Sequence, residues 1–154
     1  LLTECLKPGG LMKIGLYSEL ARQHIVTVRQ MIAEKNISPD KGDVLNFRHR
    51  IKKRDHPEFN SLKKWHDFYS TSTVRDLLFH VEEHRFNMPQ IREALDELEL
   101  AFIGFEHANP LTAKAFKAVY QEPDALYDLD RWHEFEILNP RLFASMYQFW
   151  VQKL

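Results

Sequence analysis

Two histidines one helical turn apart, His80 and His84, with Glu83 beside the second, have types and spacing that could do chemistry. His80-Val81-Glu82-Glu83-His84 matches H-x-x-E-H, a pattern in which a helix aims two imidazoles at one zinc ion. Such a site needs a third ligand, for which Glu106, His107 and His133 are the candidates. A pattern with three fixed positions arises easily among 8 His and 22 acidic residues, so no metal site is assigned. Imidazole titrates near neutral pH, and the same pair reads as pocket-lining general bases or as helix-surface residues without chemistry. Upstream, Tyr69-Ser70-Thr71-Ser72 offers hydroxyls to a polar ligand. Helix capping explains one or two of them, but not Tyr69. Arg75 could grip a carboxylate bidentately, or pair with Asp76 in the first helical turn and contribute little. The run His49, Arg50, Lys52, Lys53, Arg54 reads as a solvated helix face or as an anion site, with Asp55 and Glu58 blunting its field.

The elements that must position these residues follow from periodicity. Leu1, Leu2 and Leu6 read as the last turns of an amphipathic helix, Lys7 suits its C-terminal dipole, and Pro8-Gly9 stops it. Leu11–Tyr17 is a short apolar run of strand length. Ser18 is placed to cap a helix from Glu19 to about Lys35, its stripe being Leu20, His24, Val28, Met31 and Ile32. Asp43 to Arg54 repeats the pattern through Val44, Phe47 and Ile51, and Pro57 marks the next start. A helix capped by Thr71 or Ser72 is expected to run to about Glu83, with Val74, Leu77, Leu78 and Val81 inward. Asn87 and Gln90 form a capping box ahead of Ile91, Ala94, Leu95 and Leu98. Leu100–Phe105 reads as a strand, its Gly104 marking a close approach by a neighbour. Helical patterns over 110–121 and about 128–138 precede a last aromatic strand, Met146–Lys153.

Three stretches resemble a known family. They are the helix–Leu6-Lys7-Pro8-Gly9-Gly10–strand junction, Phe86–Ile91 with the strand Leu100–Glu106 behind it, and Met146–Lys153. More particular are Asp67-Phe68-Tyr69-Ser70-Thr71-Ser72 and the run Arg75–Phe86. Together they are similar to the C-terminal part of class I S-adenosylmethionine-dependent methyltransferases, in a bacterial subgroup often joined to tetratricopeptide repeats. The resemblance implies an α/β chain: a helix-rich part of a Rossmann-like fold, with a small mixed three-stranded sheet and a large helical insertion. Its last strand would lie antiparallel between the other two. Residues 1–17 would be a helix end and strand, 18–86 the insertion or lid, and 87–154 the rest of a single partial domain.

The resemblance also implies chemistry. The family's glycine-rich cofactor loop and its ribose-binding acid would lie upstream of Leu1. S-adenosylmethionine is thus expected for a parent protein, none is expected bound to this piece, and no cofactor-binding residue is assigned. Ligands of open α/β sheets bind beyond the carboxyl ends of parallel strands, which places Tyr17 and the wall Asp67–Arg85 at the acceptor. Substrate contacts would come from Tyr17, Asp67, Tyr69, Ser70, Arg75 and Glu83, and the base from His80 or His84. The expected partners are the missing N-terminal half, or a second copy paired along the edge of Leu11–Tyr17.

Composition is that of a globular, cytoplasmic piece. The chain has 154 residues, 44% hydrophobic and 28% charged, too apolar for disorder and too interrupted for a membrane helix. A net charge of −1 gives no general affinity for nucleic acid or anionic lipid. The single Cys5 excludes an internal disulfide and reads as a packing residue. Two further readings remain at this point. One is a non-enzymatic helical interaction module, which would have no use for the strand runs Leu100–Glu106 and Met146–Lys153; the other is a metal hydrolase using the H-x-x-E-H run.

Overall fold

The structure, a computed structural model, describes residues 2–80, 82–106 and 110–154, without the side chains of Asp67 and Pro110. Two compact units divide the chain: Leu1–Ala21 with His84–Leu154, and Arg22–Glu83.

The first unit is built on a sheet. Its strands are β1 (Leu11–Ser18), β2 (Arg85–Phe86), β3 (Leu100–Phe105) and β4 (Tyr147–Lys153), in the order β2-β1-β4-β3. β4 is antiparallel to both β1 and β3, as the resemblance implies. The sheet has four strands rather than three, because Arg85 and Phe86 pair parallel with Tyr17 and Ser18. A two-residue strand is too short to carry a hydrophobic period, so nothing in the sequence marks it. Alternation along β4 points Tyr147, Phe149 and Val151 into the core and leaves Gln148, Trp150 and Gln152 on the other face.

Helices α5 (Met88–Glu97), α6 (Pro110–Val119) and α7 (Leu129–Leu138) complete this unit. α5 starts at the expected capping box, in which Asn87 and Gln90 satisfy each other's backbone N–H. Its core-facing residues Ile91 and Leu95 share one cluster with Phe116, Trp132, Phe135 and the inward residues of β4. Trp132 stacks on Phe116 with centroids 3.7 Å apart. Its indole N–H donates to the Leu126 carbonyl, so the ring is buried without an orphaned donor.

Several local expectations change. The N-terminal helix is a single 3-10 turn, Leu2–Cys5, with Leu2 and Cys5 exposed, so Cys5 does no packing. Gly9, at φ +75, is the third residue of a tight turn in which Gly10 N–H donates to the Lys7 carbonyl. Gly104 has φ +145 and follows Phe102 across a register shift in the β3–β4 ladder. Its backbone is what calls for glycine; no atom would lie within 4 Å of an added Cβ.

The second unit is helical: α1 (Gln23–Glu34), α2 (Lys41–Lys53), α3 (Pro57–Leu62), a 3-10 turn His66–Tyr69 and α4 (Thr71–Phe79). Ser18 does not cap α1. It belongs to β1, its Oγ accepts the Ala21 N–H, and α1 begins four residues later than expected without a side-chain cap. α1 ends in a Schellman motif. Asn36 takes φ +48, its N–H donates to Ala33, and the Ile37 N–H donates to Ile32. The unit has its own core, with Ile25, Val28, Val44, Phe47, Leu62, Phe68, Val74 and Leu78 buried in one cluster.

Candidate functional site

α4 exists because Val74, Leu77 and Leu78 recur at helical spacing and bury against the helical unit's core. Its opposite face carries Ser72, Arg75, Asp76 and Phe79, one helical stripe. With His80 and Glu82 this stripe lines an open cleft of about 670 Å³. Ser72, Arg75, Asp76 and His80, all singled out from sequence, thus meet in one cleft. Arg75 does not pair with Asp76, and neither side chain has a partner among the described residues. The cleft offers a guanidinium for a carboxylate or phosphate, an imidazole for proton transfer and two carboxylates for a cationic group.

The helix ends at Phe79, not near Glu83. His80 already has extended backbone, with ψ 132. The pair His80 and His84 is therefore not presented one turn apart on a helix, and the geometry that H-x-x-E-H needs is absent. Val81, at its centre, lies outside the described residues, as does His107 among the possible third ligands. Among the described residues no three His, Cys, Asp or Glu side chains stand close enough to hold a metal ion.

The other expected contacts are placed as follows. The Tyr69 hydroxyl donates to the Lys63 carbonyl, its own carbonyl accepts from Arg48, and Lys52 lies over its ring at 5.2 Å. Ser70 and Ser72 bond to each other at 3.0 Å. The Asp67 side chain lies outside the described residues. Tyr17 stands in register with Arg85 at the end of β1, and His84 is exposed just ahead of β2. His84 and Tyr17 belong to the sheet unit, the remainder to the helical unit.

Glu83 is held by arginines rather than open to a ligand. Arg22 grips its carboxylate with two hydrogen bonds, 2.9 and 2.6 Å, and Arg29 adds a third at 2.9 Å while also donating to the Leu77 carbonyl. The Arg22 and Glu83 side chains are only 4% and 5% exposed. Burial by itself would raise the Glu83 pKa; the Arg22 and Arg29 hydrogen bonds and charges outweigh it and hold the carboxyl below its ordinary range. Arg22 and Glu83 are the first and last residues of the helical unit, so this contact clips its two ends together.

A second buried polar group went unrecognised in the sequence. Ser18, Glu136 and Tyr147 are each 0% exposed. Ser18 Oγ donates to Glu136 Oε1 at 2.5 Å, and Tyr147 Oη donates to Oε2 at 2.6 Å. Burial raises the Glu136 pKa, partly offset by the two hydroxyl donors. Burial also pushes the Tyr147 phenol well above its usual value, with the Glu136 charge adding to the rise. The signal was available: Glu136 falls on the inward stripe of α7 with Trp132 and Phe135, where an acid needs a partner.

No protein-family model matches the chain, and no curated protein matches it in sequence. The structure is similar to that of PKMT2 from Rickettsia typhi, with a TM-score of 0.61 over 97% of this chain at 13% identity. The two chains share a fold across nearly the whole of this one. The chain spans 30% of that protein's length. A purely helical module is incompatible with the sheet, since both Leu100–Phe105 and Tyr147–Lys153 are strands. No helix among the described residues is long and apolar enough to cross a membrane.

Proposed function

We propose that this chain is the acceptor-side part of a cytoplasmic, S-adenosylmethionine-dependent methyltransferase, with the helical unit inserted between β1 and β2. The observation that carries this reading is the sheet order, with the terminal strand antiparallel between β1 and β3, joined to the likeness to a methyltransferase fold. The cofactor supplies the activated methyl group; this chain's residues would align the acceptor and hold its proton. Arg75 is the anchor for an anionic part of the acceptor. His80, in the same cleft, is the candidate base, with His84 the alternative. Tyr69 and Ser70, engaged by their neighbours, shape the wall. In the parent polypeptide, Arg75→Ala is expected to raise the acceptor KM roughly tenfold, and His80→Ala to lower kcat by about 10²–10⁴. Transfer of labelled methyl groups checks both, and full activity in both variants would overturn the assignment.

The sheet unit supports a partner as well. β2 covers only Tyr17 and Ser18, so Leu11–Leu16 has no strand neighbour on that side among the described residues. Such an edge accepts another strand, from the N-terminal part of the same domain or from a second copy. The isolated chain is expected to self-associate with rising concentration in sedimentation runs. A strictly monomeric chain throughout the series would refute pairing between copies.

A further inference from the structure

We propose that the groove between α1 and α2 of the helical unit docks an acidic peptide segment through an anchor of one or two apolar side chains. The Schellman motif at Asn36 turns Ile37 back over α2, and Phe47 and Ile51 come up from the other side. Around this apolar floor stand Lys35, Arg50 and Arg54, whose side chains have no ion pair or hydrogen bond among the described residues. Phe47, Arg50, Ile51 and Arg54 are spaced i, i+3, i+4 and i+7, so floor and cations share one face of α2 and the chain just past its end. Of the basic residues at this end of α2, Arg50 and Arg54 stand beside the groove, while Lys52 lies over the Tyr69 ring. Asp43, at one end, is the only carboxylate in the lining.

Size and chemistry select the occupant. The groove consists of two adjoining hollows of about 150 and 40 Å³ that share Lys35, Ile37, Phe47 and Arg50. That is below the several hundred Å³ of a cofactor or drug-sized ligand, and suits one or two apolar side chains. The aromatic rings in the floor are buried, Phe47 at 5% and Phe59 at 6%, and give bases no face to stack on. Unpaired cations around an apolar hollow complement a chain that carries carboxylates on both sides of a Leu or Phe.

The test is fluorescence anisotropy with a labelled octapeptide, Leu-Phe at its centre and three acidic residues on each side, added to the whole chain. It should bind saturably and weaken with salt. The same peptide with Ser-Ser at its centre, and an oligothymidine strand, should each bind at least about tenfold more weakly. Arg50→Glu with Arg54→Glu should abolish binding, and Arg50→Gln with Arg54→Gln, a milder change, should weaken it about tenfold with the helical circular dichroism retained. Absence of binding to the Leu-Phe peptide, or affinity unchanged in the Gln variant, would overturn the proposal. Equal binding of the Ser-Ser peptide or the oligonucleotide would overturn it too, reducing the site to a plain basic surface.

Discussion

Glu83→Ala is expected to destabilise the helical unit by about 3–5 kcal/mol, the usual consequence of leaving buried charge without its partner. Two guanidiniums, Arg22 and Arg29, converge on that one carboxylate. Removing it leaves both cations facing each other, with the Arg22 side chain only 4% exposed. It also releases the contact that joins the unit's first and last residues. Arg22→Ala should cost less, because Arg29 still pairs with Glu83. Native-state hydrogen exchange of α1 and α4 amides reads this unit separately from the sheet. A loss below about 1 kcal/mol, the range of an exposed ion pair, would mean that the triad is solvated. Its pH dependence has a definite sign. The folded pKa of Glu83 lies below the ordinary 4.5, so the unfolded chain binds the proton more readily. The stabilisation is complete above the unfolded pKa and is lost as pH falls through the folded one. Glu83→Ala should flatten that acid limb.

Glu136→Ala is expected to cost the sheet unit about 3–5 kcal/mol, from a cavity beside the core aromatics and two buried hydroxyls left without an acceptor. Glu136→Gln keeps a carbonyl acceptor for Tyr147 and removes the buried charge, so it should be much milder. Here the pH slope is reversed. The folded Glu136 pKa is raised, so the folded state holds the proton more tightly. Stability from this group is full below the unfolded pKa and declines as pH rises through the folded value. Exchange of α7 and β4 amides should therefore quicken as pH rises across that window, after correction for the intrinsic rate. Glu136→Gln should abolish the trend. A Gln variant with an unaltered pH slope would show that Glu136 ionises as freely as a surface glutamate.

Much of this molecule is local and was readable. Val44, Phe47 and Ile51 predict α2 at almost its observed limits, Pro57 opens α3, and Asn87 with Gln90 sets the start of α5. Each rests on a pattern within one or two turns of chain. The apolar runs Leu11–Tyr17, Leu100–Glu106 and Met146–Lys153 likewise match the three longer strands to within one residue at each end. Their order in the sheet came from the family resemblance, since periodicity within a strand says nothing about its neighbours.

What only the tertiary structure decided depends on residues far apart in sequence. β2 is two residues long and exists because the chain returns beside β1 after the whole helical unit. α4 stops at Phe79, four residues before the Glu83 that Arg22 and Arg29 hold, so the helical face expected for His80 and His84 never forms. Ser18 looked like a cap because a serine before a helical pattern can satisfy N–H groups locally. Its hydroxyl instead reaches Glu136, 118 residues away. At α4 and at Ser18 a short-range preference worth about 1 kcal/mol gave way to partners for buried charge and buried hydroxyls, whose loss costs several times more. The sequence by itself determined the helices, the longer strands and the residue types of the cleft. Which polar groups are spent inside each unit, and which are left for a ligand, was decided by contacts between residues far apart in the chain.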